Sequence, residues 1–216
     1  MLAVVRVFTS DDSHVLSAHG EIIQKRYGLT TRTWCIPDQP RGIYDNASEE
    51  AAVPKIVAVA KEAAETGAQA VFISCAADPA VTECRRTLKI PVIGAGSAAA
   101  ALGLALGKKI GVLNLNAPTL PVVAEILGNR LAMERWPQGV NDTTDLLTAT
   151  GLKAAETAVK EMTEKCDVIL LGCTGYSTIH LADILRPCVK IPIVDAVEAG
   201  GAVAAFIMAG SMGNHG

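Results

Sequence analysis

Short apolar runs rich in β-branched residues alternate with longer amphipathic stretches along the whole chain, the pattern of strands alternating with helices. It predicts strands at 3–8, 29–36, 69–75, 91–94, 109–115, 167–173 and 190–195, with a weaker one at 132–136. Helices are expected after the polar loop 9–13 and up to Tyr27 and Gly28, then at 46–66, 79–88, 97–106, 117–131, 143–165 and 197–208. Gly67 stops the second of these, Asn46 with Glu49 reads as its capping box, and 210–216 reads as a loose tail. Residues 37–46 form the longest turn-rich segment of the first half, long enough to reach over a site.

The pattern occurs twice. A buried strand ends at Cys75 and is followed by the strand Ile90-Pro91-Val92-Ile93-Gly94; a second ends at Cys173 and is followed by Ile191-Pro192-Ile193-Val194-Asp195. Each cysteine is thus delivered to the carboxyl end of a strand. The expectation is an α/β fold of two pseudo-symmetric lobes, each a mainly parallel sheet flanked by helices, with the active site in the cleft between them. The lobe boundaries are placed at 1–96 with 197–216 for the first and at 97–196 for the second.

With 216 residues, half of them hydrophobic, the chain can bury a sizeable core. A net charge of -3 without a basic run, and aromatics at only 4%, argue against nucleic acid as a partner. The uncharged stretch 90–107 is broken by Pro91, Ser97 and glycines, which indicates a packed strand and helix and no membrane span. The amino terminus lacks the features of a secretory leader, so a cytoplasmic address is expected. Six cysteines without C-x-x-C spacing are expected to be free thiols, and neither they nor the histidines have metal-ligand spacing.

Two thiols suffice for one chemistry. A thiolate removes a proton from a carbon next to a carbonyl, a neutral thiol returns one to the opposite face, and the stereocentre inverts with no metal or organic cofactor. Cys75 and Cys173 are read as opening helices, whose positive ends would lower their pKa values. Backbone N–H groups near Ala76, Ala77, Thr174 and Gly175 would stabilise the enolate. Cys35, Cys84, Cys166 and Cys188 are read as small packed hydrophobes.

These residues resemble the aspartate/glutamate/hydantoin racemase superfamily, in which two cysteines from pseudo-symmetric lobes are the acid and base of a cofactor-independent racemase. The likeness covers nearly the whole chain. Leu171-Gly172-Cys173-Thr174-Gly175-Tyr176 is similar to the glutamate racemase motif, except that Gly175 stands where that motif usually has histidine. Any assistance from that histidine is missing or replaced. Ser74-Cys75-Ala76-Ala77-Asp78-Pro79 is more similar to the hydantoin and allantoin racemase branch, whereas Thr9-Ser10-Asp11 is closer to the acidic loop of glutamate racemases. The resemblance implies a hydantoin-like cyclic amide or an amino acid as the small-molecule substrate. It also implies a site lined by Ser10, Asp11, Tyr44, Asp78, Asn114 and Thr174, and a homo-oligomer. Asp11 tunes a thiol, binds a substrate N–H or merely caps the first helix; Asp78 binds substrate or caps the helix after it. Asp195 and Glu198 have structural or catalytic roles, His180 is read as a surface residue, and His14, His19 and His215 carry little signal.

Other readings stand beside this one. One thiol acts as a nucleophile in the manner of maleate isomerases, or the chain is a non-catalytic two-lobed protein that closes on a small ligand. Single-cysteine decarboxylase chemistry fits less well, because both cysteine positions are occupied. Gly94-Ala95-Gly96-Ser97-Ala98-Ala99 fits a dinucleotide fingerprint, but the next strand ends Leu113-Asn114-Leu115-Asn116 without the carboxylate that would hold a ribose.

Overall fold

The structure, a computed structural model, describes residues 1–115 and 118–211. Most of the tail expected at 210–216, with His215, and the expected helix start at 117 therefore lie outside the described residues. By its contacts the chain divides into two units, Met1–Ala95 with the segment from Gly200 onward, and Gly96–Ala199.

In the first unit four parallel strands, β1 (Leu2–Arg6), β2 (Thr31–Cys35), β3 (Ala70–Ser74) and β4 (Val92–Gly94), lie in the order β2-β1-β3-β4. Strands β1 and β3 are buried along their full length, as continuous apolar strands covered on both faces must be. Helix α2 (Asn46–Glu65) covers one face: its Ile56, Val59 and Ala60 share a core with Val5, Val71 and Ile73. Helix α1 (Ser13–Tyr27) and the last helix of the chain cover the other. A short helix α3 (Val81–Thr87) links β3 to β4.

The second unit repeats this topology. Strands β5 (Ile110–Leu113), β6 (Leu131–Arg135), β7 (Val168–Leu171) and β8 (Ile193–Asp195) are parallel in the order β6-β5-β7-β8. Helix α5 (Pro121–Leu127) connects β5 to β6, and α6 (Ala149–Met162) packs Ala155, Val159 and Met162 against Leu113, Ile169 and Leu171. Two short helices, α7 (Gly175–Thr178) and α8 (Leu181–Leu185), follow β7.

The remaining two helices are exchanged between the units. Helix α4 (Ala95–Leu106) continues from β4 of the first sheet, yet its Gly103 rests on Ile110 and Leu170 of the second. Helix α9 (Ala196–Ser211) continues from β8 of the second sheet, and its Gly200 rests on the ring of Phe72 in the first. A Cβ at Gly200 would overlap the ring and lie 2.7 Å from Phe72 Cδ2, and one at Gly201 would lie 2.8 Å from Tyr27 of α1. Glycine is needed here for close approach. Among the described residues no helix is long and apolar enough to cross a membrane.

Several element ends differ from the expectation. Asp45 with Ser48 forms the capping box of α2, not Asn46 with Glu49, because the buried Ser48 hydroxyl serves the turn at Tyr44 and Asp45. Helix α3 begins at Val81 and not at 79, since Asp78 and Ala80 adopt left-handed φ values of 53° and 58°. The helix expected at 143–165 begins at Ala149, capped by Thr148, because a 3-10 turn at Asp145–Leu147 occupies the residues before it. The weak strand signal at 132–136 is the edge strand β6.

Replacing Gly200 with alanine is expected to lower the free energy of unfolding by about 1–3 kcal/mol, the usual cost of overpacking a filled site. Gly210→Ala, whose Cβ meets nothing within 4 Å, is expected to be neutral or to stabilise by up to about 1 kcal/mol through helix propensity. Urea denaturation of both variants checks the difference.

Candidate active site

Parallel pairing fixes where each sheet delivers its thiol. The last pair between β3 and β4 is Ile73 with Gly94, and the last between β7 and β8 is Leu171 with Asp195. Cys75 and Cys173 each stand two residues beyond that pair. In each sheet the chain reverses its direction of winding between the two central strands, β1 and β3 or β5 and β7, and each cysteine follows one of them. That is where open α/β sheets bind ligands. Both cysteines are partly buried and neither is disulfide-bonded.

In the first unit Thr9 ties the loops after β1 and β2 together: its hydroxyl donates to Ile36 O at 2.6 Å and accepts from Gln39 N at 2.8 Å. Ser10 accepts from Asp12 N at 3.1 Å. Asp12 caps α1, accepting from His14 N at 2.9 Å, so Asp11 is not the cap and stands exposed. Tyr44, on the loop before α2, is 46% exposed, with the Arg41 guanidinium 4.4 Å from its ring centre. After Cys75 the chain turns tightly, Asp78 N donating to Cys75 O at 3.0 Å, and Ala76 is buried. Asp78 does not cap α3; its carboxylate fills the space beside Gly94, with Oδ1 2.6 Å from where a Cβ at Gly94 would lie. The first glycine of the apparent dinucleotide fingerprint therefore makes room for an acid, which is unfavourable for a pyrophosphate.

The second unit holds its cysteine loop more firmly. Tyr176 is fully buried and donates its hydroxyl to Asn114 O at 2.7 Å. Ser177 lies 2.8 Å from both carboxylate oxygens of the buried Asp195, which also accepts from Val197 N and Glu198 N at the start of α9. Glu198 is gripped by both guanidinium nitrogens of Arg186. Asp195 and Glu198 thus have clear structural duties. Asn114 donates to Thr119 at 3.1 Å, and Gly172 lets its carboxamide approach the chain just before Cys173. Thr174 is half-buried beside the thiol, and the Gly175 N–H donates to Cys173 Sγ at 3.4 Å. His180 is exposed with a left-handed backbone, between α7 and α8.

The sites implied by sequence therefore fall into two groups, one per unit: Ser10, Asp11, Tyr44, Cys75, Ala76 and Asp78, and Asn114, Cys173, Thr174 and Gly175. His19, which carried little signal, is buried against the residue preceding Cys75: its Nδ1 lies 2.7 Å from Ser74 Oγ. Arg6, paired across the sheet with Ser74, is also buried, with its guanidinium on Val15 O at 2.7 Å. Burial lowers its pKa to about 10. No local pattern marks either contact.

The expectation of a lowered thiol pKa is wrong for Cys173. Desolvation pushes it up to about 11; the Gly175 N–H pulls it down, and the Asp195 charge raises it further. The helix that follows has four residues and little dipole to offer. For Cys75 the next helix begins six residues on, at Val81. Cys173 is therefore a neutral thiol near pH 7, and its thiolate fraction rises with pH to reach one half at about pH 11. Its alkylation by iodoacetamide is expected to quicken about tenfold per pH unit between pH 7 and 10, because only the thiolate reacts. Mass spectrometry of the Cys173 peptide checks this, and a plateau near pH 8 would contradict it.

The chain is similar to several known racemases. A family model described as Asp/Glu/Hydantoin racemase matches residues 16–204. The chain is 25% identical over 178 residues to a hydantoin racemase of Rhizobium meliloti, covering 75% of this chain and 69% of that protein. Its fold is similar to an allantoin racemase from Klebsiella pneumoniae (TM-score 0.81, 18% identity, 97% of this chain and 88% of that one). A Pseudomonas fluorescens allantoin racemase is equally similar (TM-score 0.81, 20% identity, 97% and 91%). The chain belongs to the Asp/Glu/Hydantoin racemase family, enzymes of the racemase and isomerase type.

Proposed function

We propose that this enzyme is a cofactor-independent racemase that inverts a stereocentre next to a carbonyl in a hydantoin-like cyclic amide, with Cys75 and Cys173 as the proton-transfer groups. The observation that carries the reading is the matching placement of the two thiols, each two residues past the last pair that its strand makes with β4 or with β8. Packing alone gives no reason for a thiol at the same register in both units.

In this reading the Cys75 thiolate removes the proton, the C–H electron pair moves onto the carbonyl as an enolate, and the neutral Cys173 thiol protonates the carbon from the other face. The opposite enantiomer is handled by the reverse assignment. The raised pKa of Cys173 supports its role as the proton donor at rest. Backbone N–H groups of the turns after the two cysteines are the donors for the enolate oxygen. A cyclic amide is favoured over a zwitterionic amino acid because position 175 is glycine and Ala76 and Ala77 follow the first thiol, so these positions lack side chains that pair with charged groups. The resemblance to hydantoin and allantoin racemases points the same way.

The test is proton NMR in heavy water over 5-substituted hydantoins, allantoin, aspartate and glutamate. Deuterium is expected at the stereocentre of the cyclic amides, together with loss of optical rotation. Cys75→Ala and Cys173→Ala are each expected to lower racemisation by about 10²–10⁴-fold. Cys173→Ala is expected to retain slow exchange without inversion from the enantiomer that Cys75 deprotonates. Exchange confined to the amino acids would overturn the substrate assignment, and a covalent adduct on Cys75 without exchange would overturn the mechanism.

A further inference from the structure

The loop that carries Cys75 has both its ends on one residue. Ile73, two positions before the thiol, pairs with Gly94 across the sheet. Asp78, three positions after it, lays its carboxylate against the same glycine, with Oδ1 2.6 Å from where a Cβ at Gly94 would be. Within the loop Cys75 N donates to Ile73 O and Asp78 N donates to Cys75 O, both at 3.0 Å. The thiol is thus held in a ring of chain closed by one carboxylate.

The ring is closed against the preference of its own backbone. Asp78 and Ala80 have left-handed φ values of 53° and 58°, which residues with a Cβ disfavour. Such conformations persist only where the surroundings over-determine them. Here Ala80 and Val81 are packed into the apolar core, and the buried Gly94 leaves room for the carboxylate. The twelve-residue helix α4 begins at the next residue, Ala95, and its positive end favours an anion there.

The second unit makes the same tie with other side chains. Asp195 takes the register position of Gly94 and accepts from Val197 N at 2.8 Å and Glu198 N at 3.0 Å. A strand-borne acid is therefore sufficient for the helix that follows. The link back to the cysteine loop comes from Ser177, four residues after Cys173, whose hydroxyl lies 2.8 Å from the Asp195 carboxylate. The matching position after Cys75 is Pro79, which has no donor, so the acid itself comes from the loop. Two arrangements with one result indicate that the tie is what each cysteine loop needs.

We infer that Asp78 is a positioning residue for Cys75: its carboxylate ties the turn after the thiol to the end of β4 and so fixes where the sulfur stands. That the sulfur moves a proton rests on the racemase reading above; the tie does not.

The test moves the acid from the turn to the strand. Asp78→Gly removes the carboxylate and keeps a residue at ease with a left-handed backbone. The swap Asp78→Gly with Gly94→Asp returns an acid to the strand end, where Asp195 has it, but leaves the turn untied. Asp78→Gly is expected to lower the urea midpoint and to speed amide hydrogen exchange over residues 75–81 by about tenfold or more. The swap is expected to restore the midpoint and not the slow exchange. In hydantoin racemisation both variants are expected to lose about 10–100-fold in kcat with KM changed less than about threefold, the scale of a misplaced reacting group.

Recovery of slow exchange or of kcat in the swap would reduce Asp78 to a helix cap and overturn the inference. A raised KM at unchanged kcat would overturn it too, by marking Asp78 as a substrate-binding acid. So would fast exchange of 75–81 in the unaltered protein, a result that needs no variant to fold. If the unaltered protein turns over no hydantoin, the racemase reading is rejected instead, and exchange with the urea midpoints decides the tie alone.

Discussion

The register of the central strands governs everything at the carboxyl edge of each sheet. The central strands are held in register because a shift of one residue would take every buried side chain out of its packing against the covering helices. Once Ile73 is opposite Gly94 and Leu171 opposite Asp195, the two cysteines emerge at equivalent heights. The apolar core that locks the strands is thus also what sets the reach of the thiols.

The two units keep the same frame and differ in how they place an acid. At the end of β8 the carboxylate belongs to the strand itself, as Asp195, and is bound by Ser177 four residues after Cys173. At the end of β4 the strand has glycine, and the carboxylate comes from Asp78, three residues after Cys75. The exchange of positions leaves a comparable charge near each cysteine turn but changes what holds that turn. Around Cys173 it is a buried serine and tyrosine; around Cys75 it is a left-handed turn through Asp78 and Ala80, with His19 and Ser74 packed behind.

The repeated strand, cysteine and Ile-Pro strand were legible in the sequence because each depends on local periodicity and on proline and glycine punctuation. The fold class follows from their alternation with amphipathic helices. What was not legible depends on contacts between residues distant in the chain. The choice of Asp45 over Asn46 as a cap turns on the burial of Ser48, and the late start of α6 on the carboxylate of Asp145. The desolvation of Cys173 comes from side chains on several elements, so a rule about helix ends gave the wrong sign. His19 was passed over because nothing near it in sequence reveals a partner on β3.

The crossed connection of α4 and α9 bears on how the chain is made. Phe72 is synthesised early, whereas Gly200, which covers its ring, follows only after the whole second unit. Until then that face of the first sheet is covered by α1 alone, and the apolar surface left bare is the kind that favours aggregation over slow, distant pairing. Maturation of the first unit therefore waits on α9, and a nascent chain stalled before it would be a natural client for a chaperone.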